Sequence, residues 1–523
     1  MSSQNQTQSV INFLRCGRFN ACALAAGALL TLSACAPLGP DYKEPQVDWL
    51  AQWQPELYPS PTGSSVNADL SQWWTRFNDP VLNDLIVKAR TESPGLKIAG
   101  LRILESRALA GVASGAQYPQ VQQLTAQGAY AGKKRGGGEY RDFTTSQAAF
   151  NIGWEMDFWG RFRRGVESAD AAYFASITNQ RDAQVLLAAQ VASLYYGIKA
   201  TMQRIEIAQN NLTLQERSYD ITEQLFSEGQ DSELDLQQAK SQYLSTKATI
   251  PGLRLALQQQ RNALSALLNR APGDLPELDN IDSTLPQVDA HSVAGIPAQL
   301  ILRRPDVRAA AWQAAAQSAQ IGIAQADLYP SLSLFGTVGW SGNDIDIVDD
   351  VISVAAGPSL SWNIFNYGRI KNNVRIQDAR LQQALEAYRA SVLNAAREID
   401  DAASRVAQTQ ASQQILDDAL NASQRSLAIA SRRYQEGYSD FQRVLDAQAS
   451  TFRQADRAVS NRGDHIAAII NLYQALGGGW QEASIETLIP DAMRETMEQR
   501  TDWGDLLQDS LAQPPEPEQG HTQ

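Results

Sequence analysis

The chain has almost no cysteine, almost no histidine and no long apolar run, and each shortage removes a class of function. Its three cysteines, Cys16, Cys22 and Cys35, all lie near the start of 523 residues. The rest of the sequence can hold neither a disulfide framework nor a thiolate metal site. The three histidines, His291, His465 and His521, are far apart, and none has a Glu or Cys at a metal-ligand spacing. That scarcity argues against an enzyme built on a histidine base or a zinc ion, and nothing in the sequence calls for a cofactor. No stretch after the N-terminal run reaches the ~18 apolar residues of a membrane-spanning helix, so any crossing must be made by strands. Positive charge is short too: 44 Lys and Arg stand against 57 Asp and Glu, a net of -13. Ten acids but only Arg494 and Arg500 follow Trp480, so the tail supplies -8 of that -13. A nucleic-acid partner has no electrostatic footprint here.

What is present begins with an address. Arg15 and Arg18 precede an apolar run over 21–32, the size of a signal-peptide core. It ends in Leu32-Ser33-Ala34-Cys35, which resembles the bacterial lipobox. That resemblance implies cleavage after residue 34 and acylation of Cys35, with enough methylenes for stable anchoring. Ala36 follows, not the Asp that retains many lipoproteins in the inner membrane, so the outer membrane is the expected destination.

The body is a duplication. Pro94 and Pro305, Tyr118-Pro119 and Tyr329-Pro330, and Gly128 and Gly339 are each 211 residues apart. The offset then becomes 208, pairing Trp154 with Trp362, Gly160-Arg161 with Gly368-Arg369, Glu228-Gly229 with Glu436-Gly437, and Ala239 with Ala447. Proline is absent from 120–250 and again from 359–489. Each copy holds two stretches of alternating polarity, near 121–131 and 147–158 and near 331–341 and 351–364. Period two with one apolar face suits a half-buried sheet or a lipid-facing barrel, and about 10 residues is enough for a tilted strand to cross a bilayer. Four strands cannot close a barrel or a sandwich in one chain; several chains could. The loops over 132–138 and 342–346 read as exposed hairpin tips, the first lacking the spacing of a phosphate loop.

The other segments are long helices. From Arg161 to about Ser227 only Gly165 and Gly197 interrupt the pattern, which amounts to about 100 Å of helix. Val191, Ile198, Ile205, Leu212, Tyr219 and Phe226 recur every seven residues. A second row through Leu187, Leu194, Thr201, Ala208 and Gln215 starts apolar and then fades. Ile399, Val406, Gln413, Leu420, Leu427 and Tyr434 repeat the heptad in the second copy. Such a repeat predicts supercoiled helix pairs. Glu228-Gly229 and Glu436-Gly437 read as helix stops, and Ser232 and Asp440 sit where caps of the returning helices belong. Each copy is thus expected to carry a strand hairpin at one end and a helical hairpin at the other.

Several motifs together resemble the TolC-like outer-membrane efflux proteins, in their lipoprotein (NodT-type) branch. They are Gly39-Pro40-Asp41-Tyr42-Lys43-Glu44-Pro45, Trp73-Trp74-Thr75-Arg76-Phe77-Asn78-Asp79-Pro80, Leu302-Arg303-Arg304-Pro305-Asp306-Val307-Arg308, Leu445-Asp446-Ala447-Gln448 and Leu476-Gly477-Gly478-Gly479-Trp480. Ala311 stands where the family usually has Glu, and the acidic tail is longer than the family needs.

The resemblance implies a mixed α/β membrane channel: a homotrimer whose four strands per chain make a 12-stranded barrel in the outer membrane. Its helical hairpins would form a periplasmic coiled-coil tunnel, belted by segments around 79–91 and 269–296. The implied organisation is a signal peptide over 1–34, a lipidated segment over 35–92, repeats over 93–296 and 297–480, and an acidic, partly disordered tail over 481–523. The partners it implies are outer-membrane lipid, a periplasmic adaptor and an inner-membrane pump of the resistance-nodulation-division type, with small toxic compounds or drugs as cargo. Carried over by position, Glu228, Gly229, Glu436 and Gly437 would form the adaptor-docking turns. Asp446 would form the periplasmic gate with Arg443, Gln442 and Tyr434 as neighbours. Three Asp446 carboxylates on one axis would favour cations or share protons in a closed ring. Gln442 stands where some relatives carry a leucine ring. Two other readings use the same features: a lipid-anchored periplasmic scaffold and an exporter of secreted proteins.

Overall fold

The computed structural model describes residues 37–47, 70–134, 136–287, 299–343, 351–508 and 510–515. Cys35, His291 and His521 lie outside them. In chain order the elements are α1 (Pro80–Glu92), α2 (Pro94–Gly115), β1 (Val121–Lys134), β2 (Tyr140–Glu155), α3 (Arg161–Ser227), α4 (Glu233–Leu267) and α5 (Gln299–Arg303). They continue with α6 (Pro305–Ala326), β3 (Ser331–Asn343), β4 (Val351–Ser361), α7 (Arg369–Gln435), α8 (Phe441–Ala475), α9 (Ile485–Leu488) and α10 (Asp491–Arg500). Helices α2 and α6 have 22 residues each, α3 and α7 have 67, and α4 and α8 have 35. The duplication recurs element by element.

The chain forms two compact units. The first comprises Met1–Pro45, Glu105–Ala175 and Ala310–Tyr388. Its four strands make one antiparallel sheet in the order β1-β2-β3-β4, so β1 and β4 each pair on one side only. The register sets Phe150 between Leu124 and Val338, and Val338 against Val354. Even-numbered residues therefore share one face, and its apolar side chains are open, with Leu124 76%, Ile352 73% and Val354 72% exposed. Such a face suits lipid.

β2 and β4 end earlier than the alternation predicts, whereas β1 runs on to Lys134 and β3 to Asn343. β2 stops at Glu155 because Asp157 turns back to cap α3, accepting from the amides of Phe162 at 3.1 Å and Arg163 at 3.0 Å. β4 stops at Ser361, where the Trp362 indole donates to the Leu328 carbonyl at 3.0 Å and the Ile364 amide turns back onto Trp362. At the other end the first hairpin is tighter than expected, since Lys134 still pairs with Tyr140. The second tip, 344–350, lies outside the described residues.

Residues 37–45 form a strap across this unit. Arg164, buried, donates to the carbonyls of Leu38 at 2.9 Å and Gly39 at 3.2 Å and pairs with Asp41 at 2.8 Å and Glu167 at 2.6 Å. Gly39 has φ +91°, and a Cβ there would lie 2.6 Å from the Gly322 Cα, so only glycine passes. Tyr388 donates to Glu44 at 2.9 Å.

The second unit comprises Gln46–Leu104, Ser176–Ala309 and Arg389–Gln523. Its core includes Trp73, fully buried and stacked on Tyr473 at 5.1 Å, with Trp74 and Phe77 edge-on. Asp79 caps α1 through the amides of Val81 and Leu82 and accepts from the Tyr195 hydroxyl at 2.9 Å. Lys88 of α1 bonds Glu277 at 2.8 Å, joining the two segments expected to form the belt; residues 288–296 of that expectation lie outside the described residues.

Within the tail expected to be acidic and partly disordered, the described part carries α9 and α10 and buries Ile485, Ile489, Met497 and Leu507. Leu488 lies against Gly100 of α2, where even a methyl would come within 3.0 Å. The count of acids hid an apolar spacing that docks the tail. The heptads also behave differently from their chemistry. Val191 and Ile198 are fully buried, but Phe226 is 40% exposed, while Thr201, Ala208 and Gln215 of the fading row stay buried. Polar groups in this seam bond across it: Thr201 donates to Gln260 at 3.1 Å and Gln448 to Ser218 at 3.0 Å.

Arg304, from the Arg303-Arg304-Pro305-Asp306 motif, is buried in this unit. It forks onto Asp306 at 3.0 and 2.8 Å, reaches Glu398 at 2.8 Å and donates to the Ala475 carbonyl at 2.7 Å. Arg304, Asp306, Glu398 and Asp182 line a cavity of about 130 Å³. Burial, then the nearby Asp306 carboxylate, pushes the Asp182 carboxyl up to about 6 against the pull of Arg304. A carboxyl raised on folding favours the native state when protonated and loses that contribution as pH rises from about 4 through 6. Asp182→Asn is therefore expected to stabilise the purified protein by roughly 1–3 kcal/mol near neutral pH, with the gain vanishing as pH falls to about 4. Thermal unfolding across that pH range in detergent measures it.

Candidate functional site

The two turns that close the helical hairpins share one geometry. At the first, the Gly229 amide donates to Phe226 at 3.0 Å and the Gln230 amide to Leu225 at 2.8 Å. At the second, the Gly437 amide donates to Tyr434 at 3.0 Å and the Tyr438 amide to Arg433 at 2.8 Å. Both glycines are left-handed, with φ +71° and +77°, and nothing lies within 4 Å of the space a side chain would fill. This is the glycine helix stop, repeated. Glu228 and Glu436 are exposed beside it, Glu228 accepting from Gln224 at 3.0 Å.

The returning helices start differently. Ser232 caps α4, accepting from the Asp235 amide at 3.2 Å and donating to its carboxylate at 2.6 Å. Asp440 occupies the corresponding place before α8 but makes no side-chain cap bond, so the capping expected of it is not made. The start of α8 is held instead by packing. Phe441, Val444 and Leu445 are buried with Ala239 of α4, and Tyr219, Leu427, Ala430 and Tyr434 close over them.

Of the expected gate residues, Tyr434 belongs to this cluster, its ring 5.0 Å from Phe441. Burial, then the carboxylates of Asp231 and Asp235, raises its hydroxyl pKa. Thus the acids of the first turn face the tyrosine of the second. Gln442 donates to Asp446 at 3.1 Å across one helical turn, which orients the carboxylate; Asp446 and Arg443 are exposed on α8. The structure thus joins Tyr434 to Phe441 and Gln442 to Asp446, while Glu228 and Glu436 stay out at the turns. From sequence, Asp231 and Asp235 read as acids that suit the start of the returning helix beside its cap, but not as the pair that faces Tyr434. The available signal was the pair of acids bracketing Ser232, with Asp231 just before the cap and Asp235 in the first turn of α4. Cys35 lies outside the described residues. Among the described residues no group of three or more His, Cys, Asp or Glu is placed to hold a metal ion, and no helix is long and apolar enough to cross a membrane.

A family model described as outer membrane efflux protein matches residues 85–270 and 296–478. The chain is 31% identical over 470 residues to the cation efflux system protein CusC of Escherichia coli, spanning 87% of this chain and 97% of that one. It is 29% identical over 486 residues to the toluene efflux pump outer membrane protein TtgF of Pseudomonas putida, spanning 89% and 98%. Among solved structures, the outer-membrane channel OprN matches with a TM-score of 0.75 at 30% identity, over 85% of this chain and 99% of that one. A CusC crystal structure matches with 0.71 at 27% identity, over 85% and 100%. The chain belongs to the outer membrane efflux protein family. It is an outer-membrane channel subunit of the kind that serves tripartite efflux.

The open space around both turn glycines makes their cost purely conformational. Gly229→Ala and Gly437→Ala are each expected to cost about 1 kcal/mol, the penalty of holding an alanine left-handed, with no added clash. Thermal unfolding of the two variants, singly and together, checks both the size and the additivity.

Proposed function

We propose that three copies of this chain form one passive conduit through which a periplasmic adaptor and an inner-membrane pump expel small toxic compounds. The observation that carries this reading is the four-stranded sheet, apolar on one face and with a free strand edge at each side, built into a chain of paired long helices. Three sheets placed edge to edge satisfy every edge and make twelve strands, which open sheets in lipid require. The chain supplies the path and the pump supplies the energy and most of the choice. Its relatives are named for cargoes as different as cations and toluene, which fits a conduit that accepts what its pump delivers.

In this reading Cys35 carries the acyl anchor in the outer membrane. The turns at Glu228-Gly229 and Glu436-Gly437 receive the adaptor, since they are the exposed ends of the helical hairpins. Asp446, oriented by Gln442 and accompanied by Arg443, meets its two symmetry mates near the axis. Tyr434 braces the start of α8 from which they project. A ring of three carboxylates at a constriction attracts cations and resists anions.

Labelling with a membrane-impermeant maleimide tests the topology. Gly137→Cys is expected to label on intact cells and Glu228→Cys only after permeabilisation. If neither labels until the membrane is opened, the strands do not cross it and the periplasmic scaffold replaces the conduit. For the gate, Asp446→Asn is expected to lower the cation-to-anion permeability ratio of the reconstituted channel by about threefold or more. An unchanged reversal potential in a KCl gradient removes Asp446 from the constriction.

A further inference from the structure

The register that makes one face of the sheet apolar also determines what the opposite face carries. Odd-numbered residues pair with odd-numbered residues along the whole sheet: Gln123 with Asn151, Asn151 with Thr337, and Thr337 with Ala355. Between its ends this face is built of Gln, Asn, Ser, Thr, Gly and Ala, with Phe143 and Phe335 as the aromatic exceptions. Some of its polar groups bond within the wall: Gln147 donates to Gln127 at 2.9 Å and Thr125 to the Ala149 carbonyl at 3.2 Å. It has no acid or base along that length. β3 and β4 contain no charged residue on either face. On this face charge occurs only at the two ends, as Lys133 in register with Arg141 at the hairpin, and as Glu155 where β2 stops.

Distance decides what those end charges can do. The pair Thr125 and Ala149 sits mid-wall. At ~3.3 Å per residue, it lies roughly 26 Å from Lys133 and roughly 20 Å from Glu155. Both are about two to three times the ~8 Å screening length of physiological salt. The middle of the wall therefore feels little of the field from either end.

We infer that the outer-membrane part of this conduit is a charge-neutral, hydrogen-bonding wall that passes cations, anions and uncharged amphiphiles without sorting them by sign. This inference rests on the conduit reading, in which the apolar face meets lipid and the polar face meets the water-filled path. It extends that reading to specificity: any preference for charge is imposed in the helical part of the path, and the last stretch before the exterior adds none. A ring of like charge at mid-wall would have acted as a second filter, and this sequence avoids one on every strand.

The test measures the local potential directly. Asn151→Cys and Thr125→Cys are reacted in intact cells with two thiosulfonates of similar size, one carrying trimethylammonium and one sulfonate. The parent chain provides the background. The ratio of cationic to anionic rates is expected to lie within about threefold of the ratio for a free thiol in bulk solution. Adding Gln123→Glu beside Asn151→Cys is expected to raise that ratio several-fold, and Phe150→Cys on the apolar face is expected to react at least about tenfold more slowly with both reagents. A ratio displaced tenfold or more in the single variants overturns neutrality while leaving the conduit intact. So does a ratio that Gln123→Glu does not move. Fast reaction at Phe150→Cys with silence at Asn151→Cys reverses the faces and overturns the assignment. If Asn151→Cys and Thr125→Cys react only in the solubilised protein, the conduit reading itself fails, and this inference with it.

Discussion

The structure depends on the hydrogen-bonding demand of two strand edges. A peptide group in lipid has no water to bond, so each N–H and C=O of a spanning strand must find a partner strand. β1 and β4 each find one neighbour within the chain and need a second. The open apolar face makes the same demand in another form, since it is favourable only against hydrocarbon. A single copy can meet neither. Assembly is thus part of completing this unit, and the stability of the sheet is inseparable from subunit concentration and from the membrane.

The helical parts solve a different problem, which is to keep pairs of helices in register over 67 residues without a broad apolar core. The buried seam of Thr201, Ala208, Gln215 and Ser218 shows how. Small and polar side chains line the seam, and bonds such as Gln448 to Ser218 tie one register of the helices. Apolar packing returns only where direction must change. At the turns the Phe441 cluster fastens α8 to α4, so the exposed residues that follow, Arg443 and Asp446 among them, project from a braced helix start.

Legibility followed locality. The alternating strands, the heptads, the duplication and the glycine stops could be read because each is a short-range pattern with one physical cause, a period or a positive φ. Gln442 and Asp446 could be paired on paper because four residues is about one helical turn. What could not be read depends on partners distant in sequence. Asp157 ends β2 because α3 needs a cap, and no alternation records that. Asp440 looks like Ser232's counterpart, yet its helix is held by tertiary packing. The tail's isoleucines were hidden among its acids, and Gln215 looks solvent-facing until the helices beside it are known. Tyr434 was legible as a heptad position but not as the residue facing Asp231 and Asp235, since those belong to the other copy of the repeat.

The strap over residues 37–45 has a consequence for the order in which the protein is made. Its ligands are Arg164 in the first repeat, Gly322 and Ser318 in α6, and Tyr388 in α7, so Glu44 waits for a partner 344 residues later in the chain. Contacts of such sequence separation close last, because the entropy of the intervening loop must be overcome first. A segment near the start of the chain is thereby among the last to be fastened. Until the second repeat has emerged and folded, Arg164 has carbonyls and an acid to meet but no frame to hold them against. The strap thus ties residues 37–45 to both repeats at once, and a chain without the second repeat would lack Ser318, Gly322 and Tyr388 to hold it.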